Sequence, residues 1–203
     1  MNGSGMTQPA VSAPSATLSP AEVLLRNGFK YGNKFMLLMW RLGGVPTWGM
    51  ANPYSGYILV ITHTGRKSGL TRRTPVNFAE IDGDLYCVAG FGAVADWYRN
   101  LCATPQAEVW LPDHTWWRVT AEDVTGWPAE RRLPLVRQVL INSGFAGYMA
   151  GFNPRTMSDD DLAAATTAYK LVRLRRTAPQ TGADGPGNLA WVWPTAATLL
   201  GLL

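Results

Sequence analysis

The chain has 203 residues, a formal net charge of +4 and a pI near 9.3. That length suits one domain with a sizeable core, and a hydrophobic share of 47% excludes a wholly disordered chain. The basic excess is too small for a nucleic-acid binder; it suits a small anionic ligand or an anionic membrane surface.

Residues 1–18 lack the apolar stretch and basic start of a secretory signal. The segment is expected to be disordered and the protein cytoplasmic, either free or attached to the inner face of the membrane. Order is expected from Ser19 onward, where Ser19-Pro20-Ala21-Glu22 forms a capping box with Pro at the first helical position. The helix should run to about Leu42 and stop at Gly43-Gly44, with Gly28 and Gly32 as points where it could break. It mixes large apolar residues with Arg26, Lys30, Lys34 and Arg41. Two readings stay open: a helix packed on the fold, or a basic amphipathic helix on a membrane.

Short strands follow. Tyr57 to His63 is β-branched and aromatic, Thr71 to Ile81 alternates, and Asp82-Gly83 signals a tight hairpin into Leu85 to Ala89. Asp96 to Ala103 reads as a short helix; Ala107 to Leu111 and Thr115 to Val124 read as strands. Pro128 to Ser143 is an amphipathic helix in which Pro134 marks a kink or the true start. Ser158 followed by three Asp residues looks like a helix N-terminus, and Tyr169 to Arg175 is a last strand. Five or six antiparallel strands with two or three helices predict an α+β barrel spanning residues 19–176. Residues 177–188, rich in Pro, Gly, Thr and Asp, read as a linker. The apolar tail 189–203 is too short to span a bilayer; a truncated span, an interfacial anchor and a strand end are all compatible with it.

Cys87 and Cys102 have no CxxC spacing and are expected to be reduced thiols. No dinucleotide or Walker-type glycine motif occurs. His63 and His114 share no metal-ligand spacing, so no metal is expected. The strongest local signal is Gly65-Arg66-Lys67-Ser68-Gly69, followed by Arg72 and Arg73. Two glycines allow a sharp turn whose backbone N–H groups can approach an anion, and four cations surround it. A solvated hairpin with ordinary surface charge is the competing account.

The stretch Thr64-Gly-Arg-Lys-Ser-Gly-Leu-Thr-Arg-Arg-Thr-Pro75 resembles the glycine-turn signature of deazaflavin-dependent nitroreductases. Asp96-Trp97-Tyr98-Arg99-Asn100-Leu101-Cys102-Ala103-Thr104-Pro105 is similar to a second block of the same family, and Phe145-Ala146-Gly147-Tyr148 is a weaker third echo. The resemblance implies a split β-barrel, FMN-binding-like and mostly antiparallel, with flanking helices. It also implies an oxidoreductase that takes hydride from reduced coenzyme F420, a deazaflavin with an anionic tail, and passes it to a quinone, a nitroaromatic or another electron-poor acceptor.

On this sequence Gly65, Arg66, Lys67 and Arg72 would hold the tail, and Pro75 would line the ring groove. The loop residues Ala89, Gly90 and Phe91 and the helix residues Trp97, Tyr98, Asn100 and Leu101 would edge the ligand. Tyr148 would be a phenol that hydrogen-bonds or protonates the acceptor. The loop Ala89-Gly90-Phe91-Gly92-Ala93 lacks the Ser-Lys pair of better-known relatives, which removes one tail cation. FMN, with one phosphate, fits so many cations less well. A non-catalytic ligand-binding barrel at a membrane is the alternative from another class; a homodimer paired through a barrel edge is compatible with either.

Overall fold

The computed structural model describes residues 20–44, 51–144 and 153–201, with backbone only for 20–30. The N-terminal segment expected to be disordered and Tyr148 lie outside the described residues. By contact the chain falls into two units, residues 1–32 and 33–203; the barrel belongs wholly to the second. The helix α1 (Pro20–Arg41) is continuous through Gly28 and Gly32.

Seven strands follow: β1 (Ala51–Asn52), β2 (Gly56–Thr64), β3 (Thr71–Ile81), β4 (Asp84–Ala89), β5 (Gln106–Trp110), β6 (Trp116–Asp123) and β7 (Lys170–Pro179). Their order is β1-β2-β3-β4-β7-β6-β5, and β5 pairs back onto β2 through Val60↔Trp110 and Ile61↔Val109. All pairings are antiparallel, so β2 to β7 close a six-stranded barrel and leave no long free edge. The helices α2 (Asp96–Ala103), α3 (Ala129–Asn142), α4 (Asp159–Ala165) and α5 (Val192–Leu199) flank it. This is the expected α+β barrel, with one unforeseen two-residue strand.

Local chemistry sets the joints. Asp82 and Gly83 both have positive φ (53° and 82°), which gives the two-residue turn that places Ile81 opposite Asp84. Ser158 caps α4 by accepting the Asp161 N–H at 3.1 Å.

Alternation along each strand sorts side chains into two layers. Leu59, Ile61, Phe78, Leu85, Cys87, Val109, Val119 and Leu174 fill the barrel, and Leu101 of α2 plugs it. Outside, α3 and α4 cover Ala79, Tyr86 and Leu171 through Leu133, Val136, Val139 and Leu162. The last turns of α1 bring Trp40 onto Val60 and Trp110.

The expected linker is not a free connector. β7 continues to Pro179 because Ala178 and Pro179 pair with Arg118 and Trp117 of β6. Beyond it, Gln180 N–H donates to Trp116 O, Gly187 N–H to Trp40 O and Leu189 N–H to Arg41 O, at 2.7–2.9 Å. The segment thus satisfies carbonyls that the end of α1 leaves open. The tail that follows is helical over Val192–Leu199, not a strand, and none of that helix's residues is buried. Among the described residues, no helix is long and apolar enough to cross a membrane.

Gly92 fixes the loop between β4 and α2. Its φ is +64°, and a Cβ there would lie 2.5 Å from Ala168 O. Gly83 has the same handedness but open space around it. Gly83→Ala is therefore expected to lose roughly 1–2 kcal/mol from left-handed strain alone. Gly92→Ala should lose clearly more in urea unfolding, and equal losses would remove the close approach from this account.

Candidate functional site

The glycine turn between β2 and β3 folds on its own backbone. Gly65 N–H donates to Leu70 O at 2.9 Å, while Gly65 O accepts from Ser68 N–H (3.1 Å) and Gly69 N–H (2.8 Å). Gly69 takes φ +66°. The Arg66 N–H donates to Asn100 Oδ1 at 3.1 Å. These amides are used internally, which leaves the Lys67 N–H as the turn amide without an internal acceptor among the described residues. Most of its capacity for an anion therefore lies in side chains.

Those side chains are not equivalent. The Arg66 guanidinium is held against α2, with Nη1 donating to Asp96 Oδ1 at 2.9 Å and to Asn100 Oδ1 at 3.0 Å. Lys67 and Arg72 are exposed, and among the described residues no acceptor takes a hydrogen bond from either side chain. Two exposed cations thus stand beside one tethered cation.

Asn100 is the junction. It is 6% exposed, and its Oδ1 faces two donors from Arg66, which fixes the amide's orientation. Its Nδ2 must then donate to His63 Nδ1, at 3.2 Å. With Nδ1 accepting, the His63 proton resides on Nε2 and is donated to Thr74 Oγ1 at 3.1 Å. His63 is itself 4% exposed. Burial foremost, aided by the Arg72 charge, holds it below its usual pKa of 6.5, against opposing contributions from the Thr64 backbone and Asp96. A neutral imidazole therefore lies under the turn.

Helix α2 presents two flanks. Asp96 and Asn100, one turn apart, meet Arg66. Tyr98 and Cys102 face the other way, where the Tyr98 hydroxyl donates to Asp123 Oδ2 at 2.5 Å. That bond foremost, and then burial, push the phenol well above its usual range. Burial alone would raise Asp123, but bonds from Thr125 and Tyr98 outweigh it and lower the carboxyl. Tyr98, Leu101, Cys102 and Asp123 line a cavity of about 210 Å³ on this second flank. Tyr98 is thus committed to Asp123, away from Arg66, whereas Trp97 is half-buried against the barrel interior and Leu101 is inside it.

Pro75 is buried in β3 opposite Val60, on the outer face and not on the face of His63 and Thr74. Ala89 is 2% exposed at the end of β4, Gly90 approaches the Tyr169 ring, and Phe91 is 62% exposed. Cys87 is buried and its thiol pKa raised by that burial, while Cys102 is exposed; both are free.

Sequence reasoning named Asn100 but missed His63, Thr74 and Asp96 as its companions. Only one signal was available for His63: it falls in step with Tyr57, Leu59 and Ile61 on the barrel's inner face.

The site is thus a cation-bearing glycine turn at the end of a closed antiparallel barrel, braced on a short helix. Residues 41–153 match the model of the F420H(2)-dependent quinone reductase family. The chain belongs to that family: it is an F420H2-dependent reductase whose cofactor is coenzyme F420. Solved structures similar to it include an F420-H2 dependent reductase (FDR-A), 24% identical, covering 57% of this chain and 92% of that one at a TM-score of 0.36. The heme storage protein HutZ of Vibrio cholerae is 15% identical, over 62% and 83%, at 0.42. A putative pyridoxamine 5′-phosphate oxidase of Listeria innocua is 7% identical, over 70% and 96%, at 0.44. No curated protein sequence matches the chain.

Asn100→Ala strips acceptors from Arg66 and a donor from His63, and each buried partner left unpaired costs roughly 1–3 kcal/mol. The loss should exceed that of Asp96→Ala, since an exposed ion pair contributes at most about 1 kcal/mol. Equal losses in denaturant titration would contradict the junction. His63 adds a pH signature. Below pH 6.5 the unfolded chain binds a proton that the folded chain refuses. Stability should therefore fall as pH drops through that value towards the folded pKa, and this group should contribute no slope above it. His63→Gln should flatten that slope; an unchanged slope would mean that His63 is not buried neutral.

Proposed function

We propose that the chain passes hydride from reduced F420 to a quinone, a nitroaromatic or a similar electron-poor acceptor. The observation that carries the site assignment is the pair of exposed cations, Lys67 and Arg72, standing beside Arg66 without an acceptor of their own among the described residues. A tail of several negative charges suits that donor set, since Arg grips phosphate or carboxylate through paired N–H groups and Lys as a point charge.

The coenzyme, when bound, supplies the hydride. The protein's residues bind, orient and exclude water. Lys67 and Arg72 take the tail, and Arg66 joins them from its seat on Asn100. The loop of Ala89, Gly90 and Phe91, shaped by Gly92, and the half-buried Trp97 give an apolar border for the ring and acceptor. Tyr148, outside the described residues, is the phenol proposed to hydrogen-bond the acceptor. Tyr98 is left out of this border, its hydroxyl being engaged by Asp123. Pro75 supports β3 from its outer face.

The exposed Trp191, Trp193, Leu199 and Leu200 favour one further reading of the tail, as a contact for an apolar or membrane surface. Truncation before Trp191 should abolish vesicle co-sedimentation if it is right.

Fluorescence titration with F420, followed by turnover of menadione with the reduced coenzyme, tests the main reading. Lys67→Gln with Arg72→Gln should weaken F420 binding strongly, because charge-assisted hydrogen bonds contribute roughly 1.5–3 kcal/mol each. The salt dependence should flatten as well, with the unfolding temperature little changed. Unaltered affinity in the double variant would return both residues to the role of solvated turn cations.

A further inference from the structure

Among the ion pairs of the described residues, one alone involves a cation of the glycine turn, that of Arg66 with Asp96. Its geometry makes it a weak pair. It runs through Nη1 only, at 2.9 Å, and the Asp96 side chain is 80% exposed against 20% for Arg66. Exposed pairs of this kind add little to stability. Nor does the seat of Arg66 depend on it, because Asn100 Oδ1 accepts from the Arg66 backbone N–H at 3.1 Å and from Nη1 at 3.0 Å. A carboxylate that is not needed to hold Arg66 thus stands against the cations suited to an acidic tail.

A structural role for it exists. Asp96 lies in the first turn of α2, where a negative charge suits the helix dipole, and the N-cap Ala95 offers no side-chain acceptor. Its charge also bears on the turn. Arg66 Nε and Nη2 have no acceptor among the described residues, and neither is sealed in the interior. Those neighbouring N–H groups form the fork with which Arg grips phosphate or carboxylate. An anion in that fork shares one guanidinium with Asp96. If the carboxylate stays, it repels the anion; if it moves off, its pair with Arg66 is lost. Either course weakens the anion's hold. The field of Asp96 is not confined to Arg66, for Asp96 and Arg72 act with opposite signs on the buried His63.

We propose that Asp96, acting through Arg66, is a positioning residue that sets the release of the coenzyme. Its carboxylate holds down the affinity of the turn for the acidic tail and keeps Arg66 when the tail has left. This rests on the reading of Arg66, Lys67 and Arg72 as the tail's partners. A coenzyme that has delivered its hydride must give way to a reduced one before the next turnover, and release of product commonly limits that cycle. Three cations with no opposing charge would slow the exchange.

Fluorescence titration and stopped-flow dissociation of F420 from the full chain test this with Asp96→Asn, which keeps an oxygen for Arg66 Nη1 and drops the charge. F420 should bind the variant roughly two- to fivefold more tightly, the worth of an exposed ion pair, and the change should lie in the dissociation rate. The deazaflavin without its phosphate and glutamates should bind both proteins alike. Asp96→Glu, which keeps the charge, should bind F420 as the wild type does. A purely structural role at the helix end predicts otherwise: lower stability and no gain in affinity. Calorimetry with inorganic tripolyphosphate separates the proposal from the coenzyme reading, since this polyanion tests the turn without the ring. If no form binds F420 while Asp96→Asn binds tripolyphosphate more tightly than the wild type, the coenzyme reading fails and Asp96 stands as an internal competitor for anions. The proposal is overturned if F420 binds and Asp96→Asn gains nothing, if the tail-less compound gains as much, or if neither F420 nor tripolyphosphate responds to the change.

Discussion

One carboxamide, that of Asn100, joins parts of the chain that local structure would leave independent. Its oxygen holds the Arg66 backbone and guanidinium, and its nitrogen holds a histidine from the end of β2. Because Oδ1 receives two donors, the amide has one orientation, and that orientation dictates the His63 tautomer and hence the direction of the bond to Thr74. Such a buried polar chain favours a single arrangement of its members, since every alternative leaves a group unpaired. The turn, the strand ends and α2 are thereby locked into one unit.

That unit holds Arg66, whereas the adjacent Lys67 and the strand residue Arg72 are exposed; the proposed function uses these two for the coenzyme's tail. The barrel supplies the rigid support: β2 and β3 are paired over seven residue pairs next to the turn, and Leu101 anchors α2 in the interior. A turn set on such a support keeps its backbone in place without spending binding energy on ordering it.

The barrel was readable because its parts depend on local chemistry. Asp96–Ala103 was expected and found as a helix, Asp82-Gly83 made the turn its dihedral preferences require, and Ser158 capped the helix that three aspartates announce. The cation turn was equally plain as a cluster. The long-range pairings were not. Asn100 and His63 lie 37 residues apart, and nothing in either neighbourhood indicates that they meet. Tyr98 belongs to the same helix block as Asn100, yet its partner Asp123 turns it to the opposite flank. Residues 177–188 have a linker's composition, but their end and the start of the apolar tail dock on carbonyls at the end of α1, through Gly187 and Leu189, a demand visible only once both segments are folded.

The central claim is that Asn100 shapes the grip on the acidic tail and not the seat of the ring. It is tested most directly by comparing the affinity of F420 with that of the same deazaflavin lacking its phosphate and glutamates, in the wild type and in Asn100→Ala. The tail-bearing coenzyme should bind the variant far more weakly, while the tail-less compound should bind both proteins alike. An equal loss for the two compounds, or no loss for either, would contradict the account.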